Sequence, residues 1–303
     1  MKLDFSDIKI LVAGDFMVDH YIMGTSNRLS PEAPVPVVIP QEEYSIPGGA
    51  GNVAMNLRAM GANVVCLGVV GDDIWGEGLL STLRNRDINV DNIDIINNHP
   101  TTLKQRIYSD GKQVARIDTE KILGRSFKIS DYNLDDHDAC IISDYNKGVI
   151  KDINIDTNTL IVDPKKDDFS FYKKANIITP NLNELQRATK IKIKDDQSII
   201  NACNELIEKN NFNYIVAKKG SKGMTIVGKN SFVKHIKANS VDHPDVTGAG
   251  DTVIAALSIA YAKTQDIELS ARFANNAAAT AVSKSGTATV TIDEINNYIG
   301  LNI

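Results

Sequence analysis

The chain has 303 residues, of which 43% are hydrophobic and 23% are charged, an ordinary composition for a folded globular protein. Lysine and arginine number 33 against 38 acidic residues, so the net charge of −5 argues against broad attraction to nucleic acid or to an anionic membrane. The length suits one large α/β domain or two small ones.

Short apolar runs predict strands that alternate with helical patterns along most of the chain. The strands are predicted at residues 8–13, 64–70, 139–143, 160–162, 177–179 and 214–217. The helices are predicted at residues 51–60, 76–84, 183–188, 199–208, 248–263, 269–284 and 292–299. Strands that are apolar on both faces and joined by helices are typical of a parallel sheet covered on both sides, so we expect an α/β fold.

Two segments interrupt this alternation and are typical of short strands or hairpins. The first covers residues 34–39 with 43–46, and the second covers 102–108 with 113–118, turning at Ser109-Asp110-Gly111. Strands inserted between α/β units often form a flap over a site. We therefore expect one domain over residues 1–303, with a small β-strand lid near residues 34–46 and 102–118.

The three cysteines, Cys66, Cys140 and Cys203, are widely spaced and form neither a zinc pattern nor a disulfide framework. The N-terminal apolar run is too short for a signal peptide, and no stretch approaches the roughly 18 apolar residues of a membrane span. We therefore expect reduced core thiols in a soluble, cytoplasmic protein without a nucleic-acid or membrane partner.

The most informative motif is Asp245-Val246-Thr247-Gly248-Ala249-Gly250-Asp251-Thr252, directly before an apolar helical pattern. Two glycines around an alanine leave backbone N–H groups uncovered at a helix start, which favours an anion hole for a phosphoryl group. Asp251 at that hole is placed to take a proton from an attacking hydroxyl. On its own, the motif also fits a tight loop in which Asp251 merely partners the helix N-terminus.

A second glycine-rich motif, Pro47-Gly48-Gly49-Ala50-Gly51-Asn52, also runs into a helical pattern. Its glycines let a ligand approach the backbone, and Asn52 offers a donor and an acceptor to sugar hydroxyls. The spacing lacks the third glycine of a dinucleotide fingerprint, and we expect a turn near Pro47 rather than a buried strand. Both points argue against an NAD-linked oxidoreductase, and the absence of a GxxxxGK[ST] motif argues against a P-loop protein.

Taken in order, these motifs resemble the PfkB/ribokinase family of carbohydrate kinases over nearly the whole chain. Between them, Asn181-Leu182-Asn183-Glu184 is similar to the family's N-x-x-E motif, and Lys219-Gly220-Ser221-Lys222-Gly223 is similar to its glycine turn beside the nucleotide. The resemblance implies a ribokinase-like αβα sandwich with a β lid. It also implies ATP as phosphoryl donor, Mg²⁺ as cofactor and a sugar as acceptor.

The resemblance further implies roles for single residues. Asp251 would be the catalytic base, with an anion hole formed by Gly248, Ala249 and Gly250. Sugar contacts are implied for Asp19, Gly48, Gly49, Asn52 and Asp144. The nucleotide side would be formed by Asn181, Glu184 (which reaches Mg²⁺ through water), Lys219, Gly220, Gly223 and Asn275. Asp245 and Thr247 match positions that help to hold a monovalent cation such as K⁺.

Within the family, the string Ser30-Pro31-Glu32-Ala33-Pro34-Val35-Pro36 resembles the D-glycero-β-D-manno-heptose-7-phosphate kinase branch. The segments Ser143-Asp144-Tyr145-Asn146-Lys147-Gly148 and Val162-Asp163-Pro164-Lys165 agree with that branch, with Asn146 and Lys166 as mild departures. The implied reaction transfers a phosphoryl group from ATP to the C1 hydroxyl of heptose 7-phosphate. Its product, the 1,7-bisphosphate, belongs to ADP-heptose and lipopolysaccharide core precursor synthesis.

A sugar phosphate brings a second phosphate that needs its own cations. Lys104 and Arg106 share one face of a predicted lid strand, and Arg116 lies on the neighbouring one. Lys147 and Lys165 follow core strands at their carboxyl ends, where ligands bind in open α/β sheets. These five residues are the predicted phosphate contacts, although each is also compatible with a solvated surface cation.

Two alternatives remain open from the sequence: a kinase for another sugar, such as fructose 6-phosphate or ribose, and a non-catalytic sugar sensor. An intact Asp251 argues against the sensor, which has no use for a general base. The five histidines form no H-x-G-H motif, so we expect no nucleotidyltransferase domain. An exposed lid strand edge would be a liability if uncovered, so we expect a homodimer through the lid.

Overall fold

The computed structural model describes residues 4–124, 129, 136–151, 153, 157–284 and 286–299. Strands and helices alternate along these residues much as the sequence predicts. In chain order they are β1 (Lys9–Thr25), β2 (Ile39–Gly49), α1 (Ala50–Ala59), β3 (Asn63–Gly71), α2 (Ile74–Arg84), β4 (Asn89–Ile96), β5 (Thr102–Ser109), β6 (Lys112–Thr119), β7 (Ala139–Ser143), β8 (Leu160–Asp163), β9 (Ile177–Ile178), α3 (Leu182–Thr189), α4 (Asp196–Asn210), β10 (Tyr214–Lys218), β11 (Met224–Gly228), β12 (Phe232–Ile236), α5 (Ala249–Thr264), α6 (Ile267–Val282) and α7 (Ile292–Ile299).

The main sheet has the strand order β12-β11-β10-β9-β8-β7-β1-β3-β4. Neighbouring strands from β4 to β10 are parallel, whereas β11 and β12 pair antiparallel at one end. Strand β1 lies between β3 and β7, both later in the chain, so the order of the strands reverses there. In open α/β sheets, ligands bind outside the carboxyl ends of the strands at such a point.

Alternate residues of the central strands face two separate hydrophobic cores. On β1, Ile10 and Val12 pack in a core that includes residues of α1, α2, α5 and α6. Leu11 and Ala13 pack on the opposite face in a core that includes residues of α3 and α4. Because successive side chains of a strand point to opposite faces, helices cover the sheet on both sides. This confirms the ribokinase-like αβα sandwich.

Strand β1 differs most from the prediction, which ended it at residue 13. Its first half pairs with β3 and β7, up to Asp15. From Phe16 onward it pairs with β2, and from Met17 also with β5. Gly14 and Asp15 resemble a strand end in the sequence, but new strands replace β3 and β7 as hydrogen-bonding partners. One strand therefore connects the main sheet to the lid.

The lid is the second half of β1 with β2, β5 and β6. The hairpin of β5 and β6 turns at Asp110 and Gly111, which agrees with the prediction. The first lid segment differs: β2 begins at Ile39, and Pro36 within residues 34–38 makes an isolated bridge to Leu29. Pro34 and Pro36 have no N–H for a ladder over residues 34–38, although β2 itself contains Pro40 and Pro47.

Strand β2 also continues to Gly49, so Pro47, which we expected in a turn, lies in a strand opposite Val18. The sequence analysis missed β4, β11 and β12, which lie at the two ends of the main sheet. Within the described ranges, no helix combines the length and the apolar character that crossing a membrane requires.

Candidate functional site

A cleft opens at the carboxyl ends of β7, β8 and β10, beside Met17 and Asp19 at the start of the lid half of β1, and lid residues of β5 cover one side of it. Most of the predicted site residues line this cleft: Asp19, Gly49, Lys104, Arg106, Asp144, Lys165, Asn181, Glu184, Thr247, Gly248, Gly250 and Asp251. The lining also includes residues that the sequence analysis did not assign to the site: Met17, Tyr145, Asp163, Pro164 and Lys218.

Asp251 lies in the first turn of α5 and is 5% exposed. Its Oδ1 accepts the hydroxyl of Tyr145 at 2.6 Å, and its Oδ2 accepts the side-chain N–H of Asn52 at 2.9 Å. Burial raises the pKa of Asp251 to about 6, and the hydrogen bonds from Tyr145 and Asn52 oppose that rise. A carboxylate with this pKa is ionised at neutral pH and can accept a proton from a hydroxyl.

Gly248 precedes the first turn of α5 with a φ of 74°, in the left-handed region that favours glycine. A Cβ at this position would also lie 2.8 Å from Nδ2 of Asn52. Among the described residues, no side chain caps this helix start. The N–H of Ala249 donates to the carbonyl of Val246 at 3.2 Å, so Ala249 is the predicted anion-hole residue whose N–H already has a partner.

Asp19, on the lid half of β1, forms an ion pair with Arg106 on β5. Nη1 of Arg106 lies 2.6 Å from Oδ1 of Asp19, and both side chains are largely buried. Gly48 leaves room for this pair, because a Cβ there would lie 2.6 Å from Oδ2 of Asp19 and would displace that side chain. Burial lowers the pKa of Lys104, although the nearby Asp19 opposes this. The lid therefore brings two cations and one carboxylate to the cleft.

Asn181 and Glu184 form a capping box at the start of α3. Oδ1 of Asn181 accepts the N–H of Glu184 at 2.9 Å, and Oε2 of Glu184 accepts the N–H of Asn181 at 2.8 Å. Oε1 of Glu184 lies 3.4 Å from Nζ of Lys165. The N-x-x-E motif therefore builds a helix terminus and also presents a carboxylate oxygen to the cleft.

Carboxylate oxygen suits Mg²⁺, which usually keeps several waters and takes one or two carboxylates together with substrate phosphates. Both oxygens of Glu184 have partners, which fits a contact through water better than direct ligation. In the described part of the chain, no group of three or more His, Cys, Asp or Glu residues could hold a metal alone. The residues present therefore fit Mg²⁺ that arrives with a nucleotide.

Asp163 and Lys218, at the ends of β8 and β10, form a largely buried ion pair that the sequence analysis missed. Asp163 also accepts the hydroxyl of Thr179 at 2.9 Å. Nζ of Lys218 lies 3.7 Å from the place of a Cβ on Gly250, so this cation faces the glycine motif of α5. The available signal was its position directly after the strand predicted at residues 214–217.

Four predicted site residues have other partners and do not line the cleft. Arg116 pairs with Asp118 on the exposed strand β6 at 2.8 Å, and Lys147 pairs with Glu120. Lys219 pairs with Asp196 at 2.9 Å. Asn275, on α6, donates to the carbonyl of Lys237 at 3.1 Å. In this arrangement, Arg116 and Lys147 are not among the cations that face the cleft.

Three other predicted residues stabilise the surroundings of the cleft. Asp144 is buried and accepts hydrogen bonds from Tyr172 and Lys166 at 2.6 and 2.9 Å. Gly220 and Gly223 form the turn between β10 and β11, with φ values of 59° and 88°. All three therefore have a structural role that the sequence analysis did not separate from binding.

Asp245 connects the loop before α5 to the loop near residue 286. Its Oδ1 accepts the N–H of Thr247 at 3.0 Å, and its Oδ2 accepts the N–H of Gly286 at 2.7 Å. Burial raises the pKa of Asp245, but these hydrogen bonds outweigh it and hold the pKa below the ordinary value. Asp245 therefore holds together the two segments that the predicted monovalent-cation site would need.

Residues 7–294 match a family model described as pfkB family carbohydrate kinase. The chain is 40% identical over 305 residues to "Bifunctional protein HldE" of Aliarcobacter butzleri, covering 95% of this chain and 64% of that protein. The protein of the same name from Sulfurimonas denitrificans is also 40% identical, with coverages of 96% and 64%. The chain therefore spans less than two thirds of the length of these relatives.

Solved structures show the same fold at low sequence identity. A ribokinase from Thermotoga maritima superposes with a TM-score of 0.77 at 18% identity, covering 97% of this chain and 99% of the other. An Arabidopsis thaliana ribokinase, solved with ribose and ATP, gives a TM-score of 0.76 at 18% identity and the same coverages.

Proposed function

The chain belongs to the pfkB family of carbohydrate kinases, and on that premise we propose that it phosphorylates the C1 hydroxyl of D-glycero-β-D-manno-heptose 7-phosphate with ATP. It is a sugar kinase. The observation that carries the proposal is the buried carboxylate of Asp251, which faces the cleft at the uncapped N-terminus of α5. The heptose is supported by the string 30–36 and by the likeness to the HldE proteins.

In the proposed reaction, Asp251 accepts the proton of the C1 hydroxyl, and the sugar oxygen forms a bond to the γ-phosphorus. The bond from that phosphorus to the β–γ bridging oxygen breaks, and ADP leaves. The open amides at the start of α5 and the positive end of its dipole stabilise the charge on the transferred group. Mg²⁺, held through Glu184 and water, would neutralise charge on the nucleotide phosphates.

The distal phosphate of the acceptor needs cations away from Asp251. Lys104 and Arg106 on the lid and Lys165 after β8 line the cleft and are suited to this role. Arginine binds phosphate through two parallel N–H bonds, and Arg106 is already oriented by Asp19. We propose that Asp19 binds sugar hydroxyls with its remaining acceptor sites and that these three cations bind the phosphate.

We propose that residues 1–303 form one kinase unit and that phosphorylation is the step this unit carries out. Three free, buried cysteines and an ATP-dependent reaction suit the expected cytoplasmic location. The lid exposes large apolar side chains at Ile39, Tyr44, Val114 and Ile117. Such an exposed apolar sheet favours pairing with a second copy, which supports a homodimer through the lid.

We also propose that the protein binds a monovalent cation. Asp245 and Thr247 would hold K⁺ through the loops that Asp245 joins, and a change from K⁺ to a bulky organic cation would then lower turnover. Similar turnover in both salts at equal ionic strength would contradict this site.

Release of ADP from Mg-ATP, measured with a panel of acceptors, tests the function. The panel contains heptose 7-phosphate, mannose, ribose, fructose 6-phosphate and sedoheptulose 7-phosphate. Turnover confined to heptose 7-phosphate supports the proposal. Preference for another sugar would retain the kinase and reject the heptose. ATP binding without turnover on any acceptor would favour a sugar sensor instead.

A further inference from the structure

Tyr145 contacts the carboxylate that the proposed mechanism uses as a base. Its hydroxyl donates to Oδ1 of Asp251 at 2.6 Å, a length typical of an O–H donor bound to an ionised oxygen. Asn52 donates to the other oxygen at 2.9 Å. An ionised carboxylate has about four lone-pair sites, so both bonds leave room for an acceptor hydroxyl.

The position of Tyr145 is fixed by one contact from the main sheet and one from the lid. Oδ2 of Asp15, a buried carboxylate on β1, accepts the N–H of Tyr145 at 2.7 Å and that of Lys147 at 3.2 Å. On the lid side, Nζ of Lys104 lies 5.2 Å from the centroid of the Tyr145 ring, within cation–π range. The phenol is therefore held against Asp251 rather than free to rotate into solvent.

We propose that Tyr145 is a positioning residue for phosphoryl transfer: its hydroxyl holds the carboxylate of Asp251 in the orientation that receives the proton and keeps that carboxylate ionised. The inference deepens the proposed function, because it rests on Asp251 as the base. It does not depend on which sugar is the acceptor.

Four groups face Asp251 from the elements packed against it. They are Asn52 on α1, Tyr145 after β7, Asp163 at the end of β8 and Lys218 at the end of β10. Burial, the largest effect, raises the pKa of Asp251, and Asp163 raises it further, while Tyr145, Asn52 and Lys218 lower it. Asp163 and Lys218 are paired with each other, so their opposite effects offset. Loss of the Tyr145 hydroxyl therefore raises the pKa.

The test is the pH profile of kcat/KM for Tyr145→Phe, with an acceptor that the wild-type enzyme phosphorylates. Loss of one hydrogen bond to the carboxylate is expected to move the acid limb upward by about one pH unit. A midpoint that moves from about 6 to about 7 lowers the rate about fivefold at pH 6 but little at pH 8. Recovery at high pH and an unchanged KM for Mg-ATP separate positioning from a merely structural role.

Tyr172→Phe is the matched control. Tyr172 also donates to a buried carboxylate at 2.6 Å, but to Asp144 rather than Asp251, so its removal is expected to leave the midpoint in place. If Tyr145→Phe does not fold, Tyr145 is replaced by 3-fluorotyrosine, a more acidic and stronger donor, which should move the midpoint to lower pH. An unmoved midpoint, or an equal loss of rate at every pH, would overturn the proposal.

Urea unfolding gives a second readout that needs no acceptor. In Tyr145→Phe, the pH range over which ionisation of Asp251 opposes folding should still begin near the ordinary pKa of 3.8, but its upper limit should rise by about one unit. Absence of turnover with heptose 7-phosphate would reject the acceptor alone and leave this readout intact. An unfolding free energy with the same pH range in wild type and variant would reject the role of Tyr145.

Discussion

Asp251→Asn is expected to stabilise the protein while it removes most of the kinase activity. Burial raises the pKa of Asp251 in the folded state to about 6, against an ordinary value of 3.8. A carboxyl with a raised folded pKa binds more protons in the folded state, so its ionisation opposes folding as the pH rises. Asparagine carries no charge, so the free energy of unfolding of the variant does not fall in this way as the pH rises.

The size of the effect follows from the difference between the two pKa values. About 2 units at about 1.4 kcal/mol each give about 3 kcal/mol. Below the ordinary value of 3.8, the carboxyl is protonated in both the folded and the unfolded state. Above it, the free energy of unfolding of the wild type falls until the pH exceeds about 6. The stability of Asp251→Asn relative to wild type should therefore rise by about 3 kcal/mol between about pH 4 and pH 7.

The assay is urea unfolding of both proteins, followed by far-UV circular dichroism across that pH range. Asp15 also has a pKa raised to about 6, by burial and by the neighbouring Asp144, so it contributes to the pH dependence of both proteins. The difference between the two proteins cancels the contribution of Asp15 and isolates Asp251. Asp91→Asn, which changes an exposed carboxylate on β4, is the control and should show no such difference.

Two results would refute this reasoning. A stability difference between wild type and Asp251→Asn that does not change with pH would show that burial does not raise the pKa of Asp251. Turnover close to wild type would reject the base, because a positioned general base contributes about 10²–10⁴-fold to the rate. ATP binding should remain intact, which shows that the loss of turnover is not a loss of the fold.

Arg106→Ala is expected to raise KM for the sugar phosphate at least about tenfold, since it leaves the buried Asp19 unpaired, whereas Arg116→Ala on the exposed lid strand should leave KM unchanged. An equal change in KM for both variants, measured by ADP release, would contradict this assignment of the phosphate contacts. Gly248→Ala is expected to lower the free energy of unfolding by about 1–3 kcal/mol, because its φ of 74° is strained for alanine and the new Cβ would contact Asn52. Urea unfolding measures this change. An unchanged urea midpoint would show that the loop accommodates alanine without loss of stability.

The sequence predicted the parts of the fold that depend on local patterns. Apolar strands and amphipathic helices gave the layered α/β architecture, because burial on both faces of a central strand leaves a continuous apolar run. It could not predict that β1 continues past Asp15, since that continuation depends on strands β2 and β5 from elsewhere in the chain. The end strands β4 and β12 mix polar and apolar residues and carry a weaker signal.

The candidate site was predictable to the extent that its residues occur in short motifs. Asp251 and Glu184 lie in such motifs, and both line the cleft. Cations were assigned less well, because Arg116 and Lys104 look alike in the sequence. Arg116 lies opposite Arg106 on the same face of the lid, but on the outer strand β6, where it pairs with Asp118. Lys218 was missed because its pairing with Asp163 arises only when the ends of two strands that are distant in the sequence come together.

Strand β1 explains how the lid and the proposed base are connected. Asp15 and Asp19 are four residues apart on this strand, so both side chains point to the same face. Asp15 binds the backbone of Tyr145, whose hydroxyl contacts Asp251, while Asp19 binds Arg106 on the lid. One continuous strand therefore carries the carboxylate that holds the backbone of Tyr145 and the carboxylate that pairs with the lid. The main-sheet half of β1 thus holds the residue that contacts the proposed base, and its lid half holds Arg106, with no break between sheet and lid.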